Sequence, residues 1–202
     1  LGSGDISKLI EGLGRGERQL FQTQHKTKDG NTFPIEISST VVQYRGKAAI
    51  LSIARDITER RRSEMMMAAR LRLLELAPTT TVQGFLEATL DELETLTDSR
   101  IGFCNFVEAD GDTLTPQAWS TRTRREFCKT EQGLKLRVSE AGVWADAVRQ
   151  RSPIIHNDFA AVPDRKGMPP GHATVERELV VPVFRNDKVV AVFAVGNKPR
   201  PY

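Results

Sequence analysis

The sequence predicts an α+β protein in which two modules with antiparallel sheets are joined by one helix. Three observations carry this. From Arg18 to Ile57 apolar and polar residues alternate at period two, broken by turn residues at Asp29-Gly30 and Arg45-Gly46. From Asp56 to Ala77, DITERRRSEMMMAARLRLLELA, the period becomes helical. After Pro78 amphipathic helices and short strands share the chain up to a last hairpin. A length of 202 residues allows one large domain or two small ones.

Composition narrows the function classes. Charged residues at 27% and hydrophobic residues at 39% are ordinary for a globular chain, which argues against disorder. No apolar run approaches the roughly 20 residues that span a bilayer, and Leu1–Gly16 lacks a secretory pattern. The expectation is a cytoplasmic protein without membrane contact. Two cysteines, Cys104 and Cys128, outside any CxxC pattern make neither a disulfide framework nor a zinc site. The net charge of +3 is uneven: residues 1–78 hold 13 Lys+Arg against 9 Asp+Glu, and the rest is nearly balanced. Arg60, Arg61 and Arg62 supply much of the excess and read as the solvated side of a helix. A nucleic-acid face needs a broader basic stripe, so no nucleic-acid partner is expected.

In the first module, residues 5–13 read as a short helix capped by Asp5. The glycines at 12, 14 and 16 follow no strand, so they read as a turn and not as a phosphate loop. Leu20–Thr27 is a strand, Lys28–Asn31 a hairpin turn, and Phe33, Ile35 and Ile37 mark a half-buried second strand. After the turn at Tyr44–Lys47, Ala48–Ile57 is the most continuously apolar strand and is expected at the centre of the sheet. The joining helix follows, with Asp56 and Thr58 able to accept from its first N–H groups. Met66, Ala69, Leu73 and Leu76 form one stripe, the seam of a packed helix pair. Met67, Leu71 and Leu74 form a second beside it.

The stretch KTKDGNTFPIEISSTVVQYRGKAAILSIARDITERRRSE resembles the C-terminal half of a PAS sensory domain, with a DIT-type exit at Asp56, Ile57 and Thr58. The resemblance implies that residues 1–57 are a partial PAS-like module and that 58–77 is a signalling helix. The family's opening strands have no counterpart here, so no PAS ligand is assigned.

In the second module, Thr80 and Gln83 sit at capping-box spacing. They precede an amphipathic helix marked by Val82, Phe85, Leu86, Leu90 and Leu93. Ile101–Glu108 and Leu114–Trp119 form a hairpin around Ala109–Asp112. Residues 121–129 read as a short exposed basic helix, and Leu134, Leu136 and Val138 as a brief extended segment. Ser139 is placed to cap a helix that turns Val143, Trp144, Ala147 and Val148 inward until Pro153 stops it. Pro153–Asp158 is a strand and Phe159–Glu176 a long loop fixed by prolines and glycines. Leu179–Phe184 and Val189–Val195 pair around Asn186-Asp187.

The run from Val143 through the last strand to Tyr202, VWADAVRQRSPIIHNDFAAVPDRKGMPPGHATVERELVVPVF onward, is similar to a GAF domain of the bacterial signal-transduction type. The similarity covers roughly 78–202, without the family's last helix. Asn197-Lys198 resembles the start of the motif of cyclic-nucleotide-binding members, but its acidic end is not in the chain.

The chemistry-bearing residues allow three constellations. His156, Asp158 and His172 suit a two-His, one-carboxylate metal site, but a hydrogen-bonded loop anchor accounts for them more simply, and no metal is assigned. Cys104 lies in an apolar strand without a partner base and reads as packing. GAF-fold methionine sulfoxide reductases use loop cysteines, which the 159–176 loop lacks, and no Cys-His pair suits a covalent tetrapyrrole. The third constellation is a ligand pocket under the 159–176 loop. Phe103, Trp144 and Phe159 supply apolar surface there, and Asn157, His172 and Arg177 supply polar contacts. The plainer alternative makes Trp144 core and pairs Arg177 with Glu176 or Glu140.

Together these readings describe a non-enzymatic sensory module. It would bind an unidentified small molecule, dimerise through helix 58–77 and signal to an output domain of the same polypeptide. By resemblance that domain is a histidine kinase or a diguanylate cyclase. No cofactor is named by the residues. The alternatives are a ligand-free dimerisation scaffold and an enzyme using Cys104.

Overall fold

Two tight turns build the first sheet. Gly30 turns at φ 85°, and Arg45 and Gly46 at φ 51° and 74° form the two-residue loop whose twist matches antiparallel strands. The strands are β1 (Gln19–Lys26), β2 (Thr32–Tyr44) and β3 (Lys47–Asp56), in the order β1-β2-β3. The computed structural model describes residues 12, 14, 17–127, 135–163 and 173–202. Apart from Gly12, the helix expected over 5–13 lies outside them. The chain divides into two units, 1–67 and 68–202.

The expectation of a central third strand fails. Two successive hairpins put β2 in the middle and leave β3 at an edge. Its apolar residues, Ile50 and Ile53 among them, are exposed. Continuous apolar character here marks two uncovered faces, not burial between neighbours. Among the described residues the buried side chains of this unit are Ile35, Ile57 and Ser39, whose hydroxyl meets that of Ser52 at 2.8 Å.

Helix α1 spans Thr58–Leu76. Asp56 Oδ1 accepts from Thr58 N at 2.8 Å and so caps the helix. Thr58 Oγ1 accepts nothing; it is buried without a partner among the described residues. Arg60 and Arg61 are exposed, yet both reach the first sheet: Arg60 bonds Glu36 at 2.9 Å and Arg61 bonds Gln22 at 2.7 Å. Within the second unit, Arg72 clamps Glu92 through two bonds of 2.6 and 2.7 Å.

Helix α2 (Val82–Thr97) is capped by Thr81, which accepts from Gly84 N at 3.1 Å. The cap thus comes from the threonine run 79–81, at Thr81 and not at the capping-box position Thr80, because the backbone leaves the extended region only after Thr81. The helix buries Leu86 and Leu90 against Cys104 and Ala118 of the second sheet. That sheet comprises β4 (Ile101–Val107), β5 (Thr113–Trp119), β6 (Leu136–Arg137), β7 (Ile154–His156), β8 (Glu178–Arg185) and β9 (Lys188–Gly196). Its order is β6-β5-β4-β9-β8-β7, antiparallel throughout.

The segment expected as one helix from Ser139 is instead a 3-10 turn, Val143–Ala145, and a single helical turn, α3 (Asp146–Arg149). Gly142 takes the cap position without a side-chain bond, so Ser139 is not the cap. Ala147 packs on Val180, Val192 and Ala194 of the sheet. At the end of β9 only glycine fits: a Cβ on Gly196 would lie 2.8 Å from Ile101 and 2.9 Å from the Arg177 carbonyl.

Candidate functional site

A cleft of about 760 Å³ opens beside α3 in the second unit. One wall is the 139–149 segment (Ser139, Ala141, Gly142, Val143, Asp146 and Arg149). The other is the stretch 155–158 together with Ala161, Val162 and Pro163. Its size suits a small organic molecule.

Arg149 fixes the first wall. Its guanidinium bonds Asp146 and the carbonyls of Val138, Ala141 (2.9 Å) and Gly142 (3.5 Å). One planar fork thus ties α3 to the loop before it. A second device holds the other wall. His156 on β7 faces Glu178 on β8, with Nδ1 and Oε1 2.7 Å apart. At that distance one proton lies between them. Glu178 is 4% exposed, and burial pushes its carboxyl up; the His156 bond and charge oppose the rise, while Asp146 adds to it. Asp158 caps the short turn Phe159–Ala161 by accepting from Ala161 N at 3.3 Å.

The residues read from sequence as a pocket are dispersed. Only Asn157 lines the cleft, and its Oδ1 accepts from Tyr202 N at 2.7 Å. Phe103 and Trp144 meet edge to face at 5.6 Å within the core, joining the cluster around Ala147 and Val180. Phe159 is buried with its ring 6.4 Å from that of His156. Arg177 lies away from the cleft lining; its Nη1 contacts Glu176 and the Lys198 carbonyl, both at 3.4 Å. His172 lies outside the described residues, as does most of the loop read as a lid. Among the described residues no group of three His, Cys, Asp or Glu side chains can hold a metal.

Sequence reading passed over Glu178, Asp146 and Arg149. The signals were present: a carboxylate opening an otherwise apolar strand, and an Asp–Arg pair three apart in one helical turn. Asn197 also has a structural task. At φ 58° it donates to the Thr174 carbonyl at 2.7 Å and accepts from Glu176 N at 2.8 Å, pinning the approach to β8.

Two other polar groups lack the arrangement of a reactive centre. Cys104 is fully buried, and burial pushes its thiol up to about 12. Glu94 is buried against Ser120 and Thr123, and desolvation raises its carboxyl despite those hydroxyls.

A six-stranded antiparallel sheet with α2 on one face and a cleft-bearing turn segment on the other makes a small α+β domain. Residues 79–202 match the GAF domain family, and the chain belongs to it. The fold is shared with the GAF domain of a phosphoenolpyruvate-protein phosphotransferase from Coxiella burnetii. That match has TM-score 0.56 and 14% identity, over 68% of this chain and 79% of that one. An Acinetobacter counterpart gives TM-score 0.53 at 13% identity, over 69% and 79%. In sequence the chain is 35% identical over 193 residues to a methyl sulfide methyltransferase-associated sensor from Methanosarcina acetivorans. The match takes in 91% of this chain but only 19% of that protein. Family and relative support a sensory role. Among the described residues no helix is long and apolar enough to cross a membrane.

Proposed function

We propose that this chain is the sensory part of a longer signalling protein, and that its GAF domain binds a small polar molecule in the cleft beside α3. The observation that carries this is the cleft itself: about 760 Å³, with one wall clamped by Arg149 and the other by the His156–Glu178 pair. Rigid walls and a polar lining are what a recognition site needs. In this reading the first unit is the end of a PAS-like domain, as its sequence resembles, and α1 passes the signal to a kinase or cyclase domain. In this reading the chain itself carries no reaction, and Cys104, buried with its thiol pushed up to about 12, serves as packing.

The experiment is a thermal-shift screen of nucleotides, haem, small carboxylates and, prompted by the relative's name, dimethyl sulfide. A ligand at 100 times its dissociation constant stabilises by about 2.7 kcal/mol. The expected result is a shift with at least one probe that disappears in Ala161→Trp, which fills the cleft. A shift retained in that variant places the ligand elsewhere. No shift with any probe favours the ligand-free scaffold.

A further inference from the structure

We infer that the second unit carries a further ligand site, separate from the cleft, which takes a small zwitterion of the amino-acid type, with an ammonium at one end and a carboxylate at the other. The site is a groove of about 470 Å³ between α2 and the turn that follows β5. It shares no lining residue with the cleft beside α3. Helical spacing builds one wall: Asp91, Glu94, Thr95 and Asp98 recur at three and four along α2 and so share a face. Arg122 and Arg125, beyond β5, line the same groove.

The bonds inside the groove separate satisfied groups from open ones. Asp91 is satisfied: Oδ1 accepts from Thr121 N at 2.8 Å and Oδ2 from Thr121 Oγ1 at 2.7 Å. Glu94 is satisfied at one oxygen only. Its Oε1 accepts from Ser120 and Thr123, while Oε2 bonds nothing among the described residues and keeps access to the groove. The residue is nevertheless only 5% exposed, so this oxygen gains from a donor that enters the groove. Asp98, at φ 58° in the left-handed cap position, makes no side-chain hydrogen bond among the described residues. Both carboxyls belong to the C-terminal end of a helix, where the dipole favours a cation. Across from them Arg122 is exposed and makes no hydrogen bond among the described residues. Burial raises the Glu94 carboxyl and the Arg122 charge opposes the rise, yet no ion pair closes between the two. Arg125 is bonded only to its neighbour Glu126. A lone anion in this space would meet Glu94 and Asp98, and a lone cation would meet Arg122 and Arg125. A ligand carrying both charges satisfies both walls, its ammonium on the carboxyls and its carboxylate on the guanidinium fork.

Isothermal titration of the full chain with glycine, L-alanine, L-leucine and β-alanine tests this, with ethylammonium and acetate as single-charge controls. At least one zwitterion should bind, and both controls should bind at least about tenfold more weakly, having lost one charged contact. Arg122→Gln and Asp98→Asn should each weaken the zwitterion about tenfold. Neither substitution breaks a side-chain hydrogen bond, and asparagine tolerates the positive φ at 98, so the fold is expected to survive both. An unchanged melting temperature in each variant checks that. Acetate binding as tightly as the zwitterion would make this a plain anion site, and ethylammonium doing so a plain cation site; either result overturns the inference, as does the absence of binding by every probe. Binding that survives Arg122→Gln and Asp98→Asn but is lost in Ala161→Trp would belong to the cleft, overturning this inference while supporting the proposed function. The two readings therefore fail separately.

Discussion

Arg149→Met is the sharpest test of how the cleft is held open. The guanidinium donates to the carbonyls of Val138 and Ala141, residues only 7% and 4% exposed. Water has little access to these oxygens once the fork is gone. A hydrogen bond from a charged donor is worth about 1.5–3 kcal/mol. Two lost bonds, partly offset by relaxation of the 138–142 loop, should cost about 3 kcal/mol. The Asp146 contact adds little, since both side chains are about a third exposed (34% and 30%). For a chain of this size each kcal/mol moves the melting temperature by about 2–4 °C, so the transition should fall by roughly 6–12 °C. Amide exchange at Val138–Val143 should rise in parallel, and Arg149→Lys should lie between the two. A destabilisation below about 0.5 kcal/mol, with unchanged exchange in that loop, would refute the clamp.

Two further outcomes follow from buried groups. In a Cys128→Ser background, Cys104 should not react with a thiol reagent at pH 8 until the protein is unfolded, because its thiol ionises only near 12; native-state labelling would revive an enzymatic role. Glu94 and Glu178 both have carboxyls raised by burial, so the folded state holds protons that the unfolded state releases. Their contribution is full below the ordinary carboxylate value of 4.5 and is lost as pH rises through the raised values. Glu94→Gln keeps acceptors for Ser120 and Thr123 while removing the charge. Denaturant titrations across this range should show a shallower fall in stability than the parent, and an identical slope would clear Glu94 of the effect.

What the sequence determined by itself was local. Period-two alternation and turn pairs such as Arg45-Gly46 and Asn186-Asp187 mark hairpins because backbone twist and positive φ are set by a few adjacent residues. Spacing of four and three revealed both stripes of α1 for the same reason. Partner choice is different. Which strand lies in the middle of the first sheet depended on pairing and not on hydrophobicity, so β3 was misplaced. Trp144 and Phe103 read as pocket walls because an aromatic ring serves a core or a ligand equally well; only their packing against each other and around Ala147 decides. The His156–Glu178 bond joins residues on neighbouring strands that are far apart in the chain, and Arg149 reaches backbone carbonyls that carry no sequence signature. Tertiary structure alone brings these groups together, because register and loop path position them and neither is encoded in residue type at a single site.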